Sequence, residues 1–217
     1  MKTKTTLIVS LLVIALVFVS GWLVYSQMPG PVITHWNAQG QPDGYSSKTA
    51  AIYLMPLIML FTSALLFGVP LIDPLRKNVE SFRGVYNQTI LVVNGFLLVV
   101  HVVSLAWNVG WRININVVML VAVGLMLFLM GRLMAHARRN YFFGIRTPWT
   151  LSSDLVWEKT HRFGGRVFQV AGGALLLGAL IPDAAFAVIM LVVLISALVP
   201  VVYSYLVWRQ IEQQVGQ

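Results

Sequence analysis

The 217-residue sequence contains no cysteine, so neither a disulfide nor a thiolate-ligated metal is available to it. Charge is scarce as well, at 10% of residues, and acids are the scarcer sign, 7 against 15 Lys and Arg. The three glutamates are Glu80, Glu158 and Glu212. Glu158-x-x-His161 has the spacing of a di-iron helix motif, but that site needs a second such pair and further glutamates. His35 and Asp43 together fall short of a closed zinc site. There is no glycine-rich phosphate loop. Ser152 and Ser153 lie near His161, but a helix-capping role accounts for them more simply than nucleophilic chemistry. These absences predict a protein that is not an enzyme and carries no metal or cofactor.

What the chain has in abundance is apolar residues: 58% are hydrophobic and the mean hydropathy is +0.80. A bilayer-crossing helix needs roughly 20 such residues. The apolar runs predict helices over Leu7–Tyr25, Ala50–Ile72, Val85–Trp107, Ile113–Met134, Val167–Ile181 and Ala184–Trp208, the last kinked near Pro200. The first run is longer than the ~7–15 residues of a signal-peptide core, so an uncleaved first span is expected. The expected fold is all-α, a six-helix transmembrane bundle with both termini cytoplasmic. In that orientation thirteen Lys and Arg lie inside, and only Lys48 and Arg112 lie outside. This asymmetry is the positive-inside pattern, which explains the net charge of +8 without nucleic acid as a partner. The lipid bilayer is the partner it implies.

Two polar islands interrupt the apolar runs. The outer one, Gln27–Thr49, is rich in proline and glycine, with an extended piece expected at Val32–Trp36. His35, Trp36, Asn37, Asp43 and Lys48 are its candidate ligand-binding side chains. The inner one, Asn140–Arg166, begins as an irregular loop broken by Gly144 and Pro148, with Thr147 biased to extended backbone by the proline after it. Ser152 and Ser153 then supply N-cap hydroxyls for a short helix, which is expected to end at a Gly164–Gly165 hinge. Arg146 is placed to hold backbone carbonyls, or a carboxylate such as Asp154 or Glu158.

The third helix carries Asn87, Asn94, His101 and Asn108 at intervals of seven. Such residues lie along one face, drifting only about 20° per repeat. Amides and an imidazole in hydrocarbon need partners, so the stripe is expected to face the bundle. Interhelical packing and a polar pathway through His101 are the two readings it leaves open.

The run Asn140-Tyr-Phe-Phe-Gly-Ile-Arg-Thr-Pro-Trp-Thr-Leu with Val156-Trp-Glu-Lys-Thr-His resembles the signature of the SdpI family, bacterial membrane proteins giving immunity to a secreted peptide toxin. The first half resembles a domain of unknown function that commonly precedes that signature, through Pro31-x-x-x-His35-Trp-Asn, Gly40, Asp43-Gly, Ser47-Lys48 and the Asp73-Pro74 connector. The resemblance implies an N-terminal helix pair over 1–84 and a four-helix region over 85–217, integrated in one membrane domain of the bacterial cytoplasmic membrane. It implies a peptide toxin at the outer loop and a cytoplasmic transcriptional repressor held at the inner segment. Asn140, Gly144, Arg146, Thr147, Pro148, Trp149, Trp157, Lys159 and His161 are the inner signature positions it marks. A small transporter using the third-helix stripe is the rival reading.

Overall fold

A computed structural model describes residues 1–215 of the chain. The elements run α1 (Thr3–Leu23), β1 (Val32–Trp36), β2 (Pro42–Ser46), α2 (Lys48–Ile72), α3 (Arg76–Ser81), α4 (Arg83–Asn108), α5 (Ile115–Met134), α6 (Pro148–Ser152), α7 (Asp154–Gly178) and α8 (Ala185–Val215). Helices α1, α2, α4, α5 and α8 are long and apolar enough to cross a membrane. Large apolar side chains along them face outward, among them Leu12, Phe61, Leu71 and Met190. That arrangement suits hydrocarbon around the bundle rather than water. The architecture is all-α and polytopic, and the protein is a multi-pass membrane protein.

The fifth apolar run, from Val167, falls in the second half of α7, a single 25-residue helix that also contains the charged segment from Asp154. The expected break at Gly164–Gly165 is absent, and close packing explains why. A Cβ on Gly165 would come 2.6 Å from Gly131 O, and one on Gly172 would come 2.5 Å from Gly124 O. These glycines therefore let the α5 and α7 backbones touch, the device by which membrane helices gain dispersion contact. Gly178 continues the seam against Leu120. The matching levels place 165–178 alongside α5 and leave Asp154–His161 beyond its end. Likewise α8 runs as one helix through Pro200, and α2 through Pro56 and Pro70.

The extended piece at Val32–Trp36 is paired with β2 in a two-stranded antiparallel hairpin, which lies at one end of the bundle. The loop 135–153 with α3 and the start of α7 occupies the other end. There Val79, Phe82, Tyr86, Ile90, Ala137 and Trp157 form a continuous buried cluster. A second cluster, Leu120, Leu127, Ala171, Leu175 and Ala185, joins α5, α7 and α8.

Candidate functional site: a pinned loop and a hairpin at opposite ends of one helix

The loop after α5 is ordered by the Asn140 side chain. Its Nδ2 donates to Arg138 O (2.8 Å) and Phe143 O (3.0 Å), while its Oδ1 accepts from the Phe142 N–H (3.0 Å) and the Phe143 N–H (2.7 Å). One buried amide thus replaces the backbone pairing that an irregular segment lacks. Thr147, extended at φ −115° and ψ 162°, caps the short helix α6 with Pro148 as its first residue. Reciprocal bonds with Thr150 complete a capping box: Thr150 N–H to Thr147 Oγ1 at 3.2 Å and Thr147 N–H to Thr150 Oγ1 at 2.9 Å. Ser153 then caps α7, whereas the Ser152 hydroxyl donates to Trp149 O.

His161 and Trp157 form the floor under this loop. The rings stack with centroids 3.9 Å apart and 16° between planes, and both residues are almost wholly buried. The Trp157 indole donates to Ala137 O at 2.8 Å. His161 Nδ1 donates to Trp157 O (2.8 Å), and Nε2 accepts the Ile145 N–H (2.9 Å). A ring that donates through one nitrogen and accepts through the other is neutral, and burial pushes its pKa down to about 4. Gly144 passes directly over the ring with φ +106°, and a Cβ there would collide with Nε2.

Arg146 donates to Tyr141 O at 2.8 Å. The carboxylates offered as alternatives lie elsewhere: Asp154 pairs with Arg139 (2.7 Å) and Glu158 with Arg162 (2.7 Å). Trp149 packs edge-on against Tyr205 of α8, 5.3 Å between centroids, and Thr147 Oγ1 meets Ser204 Oγ at 3.2 Å. Lys159 is exposed.

Several residues that organise this site were not among the candidate site residues. Asp73 Oδ2 accepts the Tyr141 N–H at 3.0 Å while its Oδ1 accepts Leu75 N–H, and Asn78 Nδ2 donates to Arg139 O at 2.9 Å. Through these bonds the connector after α2 clamps the loop. In sequence the Asp73-Pro74 connector stood out only through the resemblance, with no role assigned to its side chains. Arg139 reaches Leu151 O as well as Asp154.

At the other end, Asn37 closes the hairpin turn, its Oδ1 accepting from the Gln39 and Gln41 N–H groups, each at 3.0 Å. His35 Nδ1 and Asp43 Oδ1 are 2.5 Å apart across the strands and largely exposed. Trp36 stands edge-on to Trp107 of α4, 6.0 Å between centroids. Lys48 lies over the Tyr25 ring and donates to Tyr25 O. The five outer candidates thus share one hairpin and its exit, with His35 and Asp43 in direct contact and Lys48 apart from that pair. Asn108, the last residue of α4, fixes the hairpin by two bonds to Ile33: Oδ1 accepts its N–H and Nδ2 donates to its carbonyl, both at 2.9 Å.

The stripe on α4 faces α1 and α2. Asn87 donates to Thr3 Oγ1 (3.1 Å) and Asn94 to Ser10 Oγ (3.0 Å). Asn94 also accepts from Ser63 of α2 (3.1 Å), and His101 Nε2 meets Ser20 Oγ at 3.0 Å. Successive layers are about 10 Å apart along the helix, beyond direct hydrogen-bond reach of one another.

Residues 136–204 match the SdpI/YfhL protein family, and residues 11–60 match a domain of unknown function, DUF1648. The chain is 26% identical over 192 residues, 88% of its own length and 90% of the relative's, to a Bacillus subtilis protein named Immunity protein SdpI. No solved structure matches. The matched family segment coincides with the loop, α6, α7 and the Ser204 contact described above, and over that segment the chain is similar to the SdpI/YfhL protein family.

Proposed function

We propose that this chain is an integral membrane immunity protein of the bacterial cytoplasmic membrane, giving resistance to a secreted antimicrobial peptide toxin. The name of its Bacillus relative supports that reading. The hairpin, with His35, Trp36, Asn37, Asp43 and Lys48, is the toxin-facing side, and the loop from Asn140 to His161 is the cytoplasmic side. Both termini are cytoplasmic, consistent with thirteen of fifteen basic residues on that side. The region 1–84 supplies the sensing hairpin and 85–217 the signature, acting as one unit. The cytoplasmic side also signals, by holding a transcriptional repressor at the membrane when toxin is present.

The observation that carries this two-sided reading is α4. Its outer end is bonded to the hairpin through Asn108, and its inner end packs Tyr86 against Phe143 of the loop, 6.0 Å between ring centroids. A 26-residue helix is about 39 Å long, so one rigid element touches both sites. A peptide that binds one position of the hairpin better than another would bias α4, and with it the loop.

The experiment is Asn108→Leu in a host killed by the toxin. The substitution removes both bonds to Ile33 and touches neither the toxin-facing candidates nor the loop. Loss of signalling at wild-type membrane level supports coupling through α4; unchanged signalling and protection contradict it. The transporter alternative is disfavoured by the stripe, whose members are bonded sideways to α1 and α2 in separated layers rather than to one another.

A further inference from the structure

Helices α7 and α8 enclose an apolar groove of about 360 Å³ lined by Val167, Val170, Ala171 and Ala174 on one side and Val192 and Ile195 on the other. It opens on the surface that carries the exposed Val170, Leu177 and Leu194, the surface presented to hydrocarbon. The small side chains of Ala171 and Ala174 leave this space open. One end of the groove is headed by Arg166, at the level where the apolar half of α7 begins.

Like Arg132, Arg138 and Lys159, Arg166 has no ion pair among the described residues, and of these four it alone lines the groove. Arg139 is paired with Asp154 and Arg162 with Glu158, whereas Arg166 has no ion-pair or hydrogen-bond partner among the described residues. A guanidinium carries five donors fixed in a plane and matches a phosphate bidentately. An unpaired guanidinium at a span's basic end, above an apolar channel, is complementary to one class of molecule: an anionic phospholipid, phosphate on the cation and acyl chain in the groove. A peptide helix would fill the groove but leave the cation unmatched. A free phosphate would match the cation but leave the groove empty. Basic pockets between spans on the cytoplasmic side hold anionic headgroups in this way.

We propose that the α7–α8 groove is a specific site for one anionic phospholipid, with Arg166 on the headgroup phosphate and Val170, Ala174 and Ile195 along the acyl chain. From Arg166 to Ala174 the helix rises about 12 Å, so the site grips the upper part of a chain and leaves the rest in the bilayer. The second, purely apolar groove between α4 and α5, lined by Leu91, Gly95, Val99 and Leu125, has no cation at its rim and is expected to hold lipid without headgroup preference.

The test is native mass spectrometry of the full chain released from vesicles of equal phosphatidylglycerol and phosphatidylcholine with identical acyl chains. The wild type is expected to keep one phosphatidylglycerol in preference to phosphatidylcholine. Arg166→Gln is expected to lower that retention roughly fivefold, the scale of one basic residue at an anionic surface, and to abolish the preference. Ala174→Leu leaves the cation in place and narrows the groove; it is expected to release the lipid as well. Both positions are exposed, so neither substitution opens a buried cavity, and a wild-type melting temperature checks that both variants are folded. Equal retention of the two lipids by the wild type would overturn the site, as would unchanged retention in Arg166→Gln. Full retention in Ala174→Leu would reduce the effect to surface charge and overturn the groove. A dimer in place of the lipid adduct would assign the groove to a second copy and overturn it too.

Discussion

His161 accepts the Ile145 backbone N–H through Nε2 at 2.9 Å, and that single bond fixes both the tautomer of the ring and the path of the loop above it. The donor nitrogen is spent on Trp157 O, so the ring serves the loop as an acceptor only while it is neutral.

A pH dependence follows from this. His161 titrates near 4 in the folded protein against a usual 6.5. Between those values the unfolded chain binds a proton that the folded one does not, so stability falls as pH drops from about 6.5 toward 4 and is fully present above 6.5. Each unit of pH in that window is worth at most about 1.4 kcal/mol. Thermal melting of the detergent-solubilised protein across this range should show the decline, and His161→Gln should flatten it.

Gly144 is the second consequence of the same bond. Its φ of +106° disfavours any side chain, and a Cβ would strike the imidazole. Gly144→Ala is therefore expected to cost roughly 1–3 kcal/mol from backbone strain alone, with the steric conflict added. A lowered melting temperature and a protease-sensitive loop are the readouts, while a melting temperature equal to wild type would show the loop free to move off His161.

Asn140 and Asp73 offer a test of the clamp between the two halves. Asn140→Ala leaves buried backbone groups unpaired at about 1–3 kcal/mol each and should destabilise strongly. Asp73→Asn keeps an acceptor for the Tyr141 N–H and should be milder. Limited proteolysis of the 137–147 loop ranks the two, and the opposite order would contradict the assigned roles.

Much of this arrangement was legible in the sequence, and the remainder has a physical explanation. Spans α1, α2, α4 and α5 were readable from length and hydropathy, and β1 as an extended piece between turn residues, because those signals are local. Capping at Ser153 was readable from residue type, whereas Thr147 was read only as extended backbone and its cap of α6 was missed. The continuity of α7 was not: Gly164–Gly165 reads as a hinge until Gly131 and Ala135 of α5 are placed against it. Strand β2 was missed because Asp43 and Gly44 read as turn residues, although Gly44 is there because His35 leaves no room for a Cβ. Arg146 was given several carbonyls or a carboxylate, and it holds one carbonyl, since Asp154 is nearer Arg139 in space. Long-range pairs such as Asp73 with Tyr141 and Asn108 with Ile33 have no local signature at all.

The α4 stripe gives a prediction that separates packing from conduction. Asn94→Leu removes bonds to Ser10 and Ser63, and interhelical bonds of this kind average about 0.6 kcal/mol. A small fall in melting temperature with protection intact is expected. Complete loss of protection by both Asn94→Leu and His101→Leu, at normal membrane level, would favour a transported ion or proton instead.

The most direct measurement is survival of a sensitive bacterium carrying this gene or an empty vector, challenged with a panel of secreted membrane-active peptides. Membrane levels of the wild type and Gly144→Ala would be matched by immunoblot. The account predicts that the wild type protects against at least one peptide and that Gly144→Ala does not. Survival no better than the empty vector across the panel, with the protein correctly inserted, would contradict the assignment as an immunity protein.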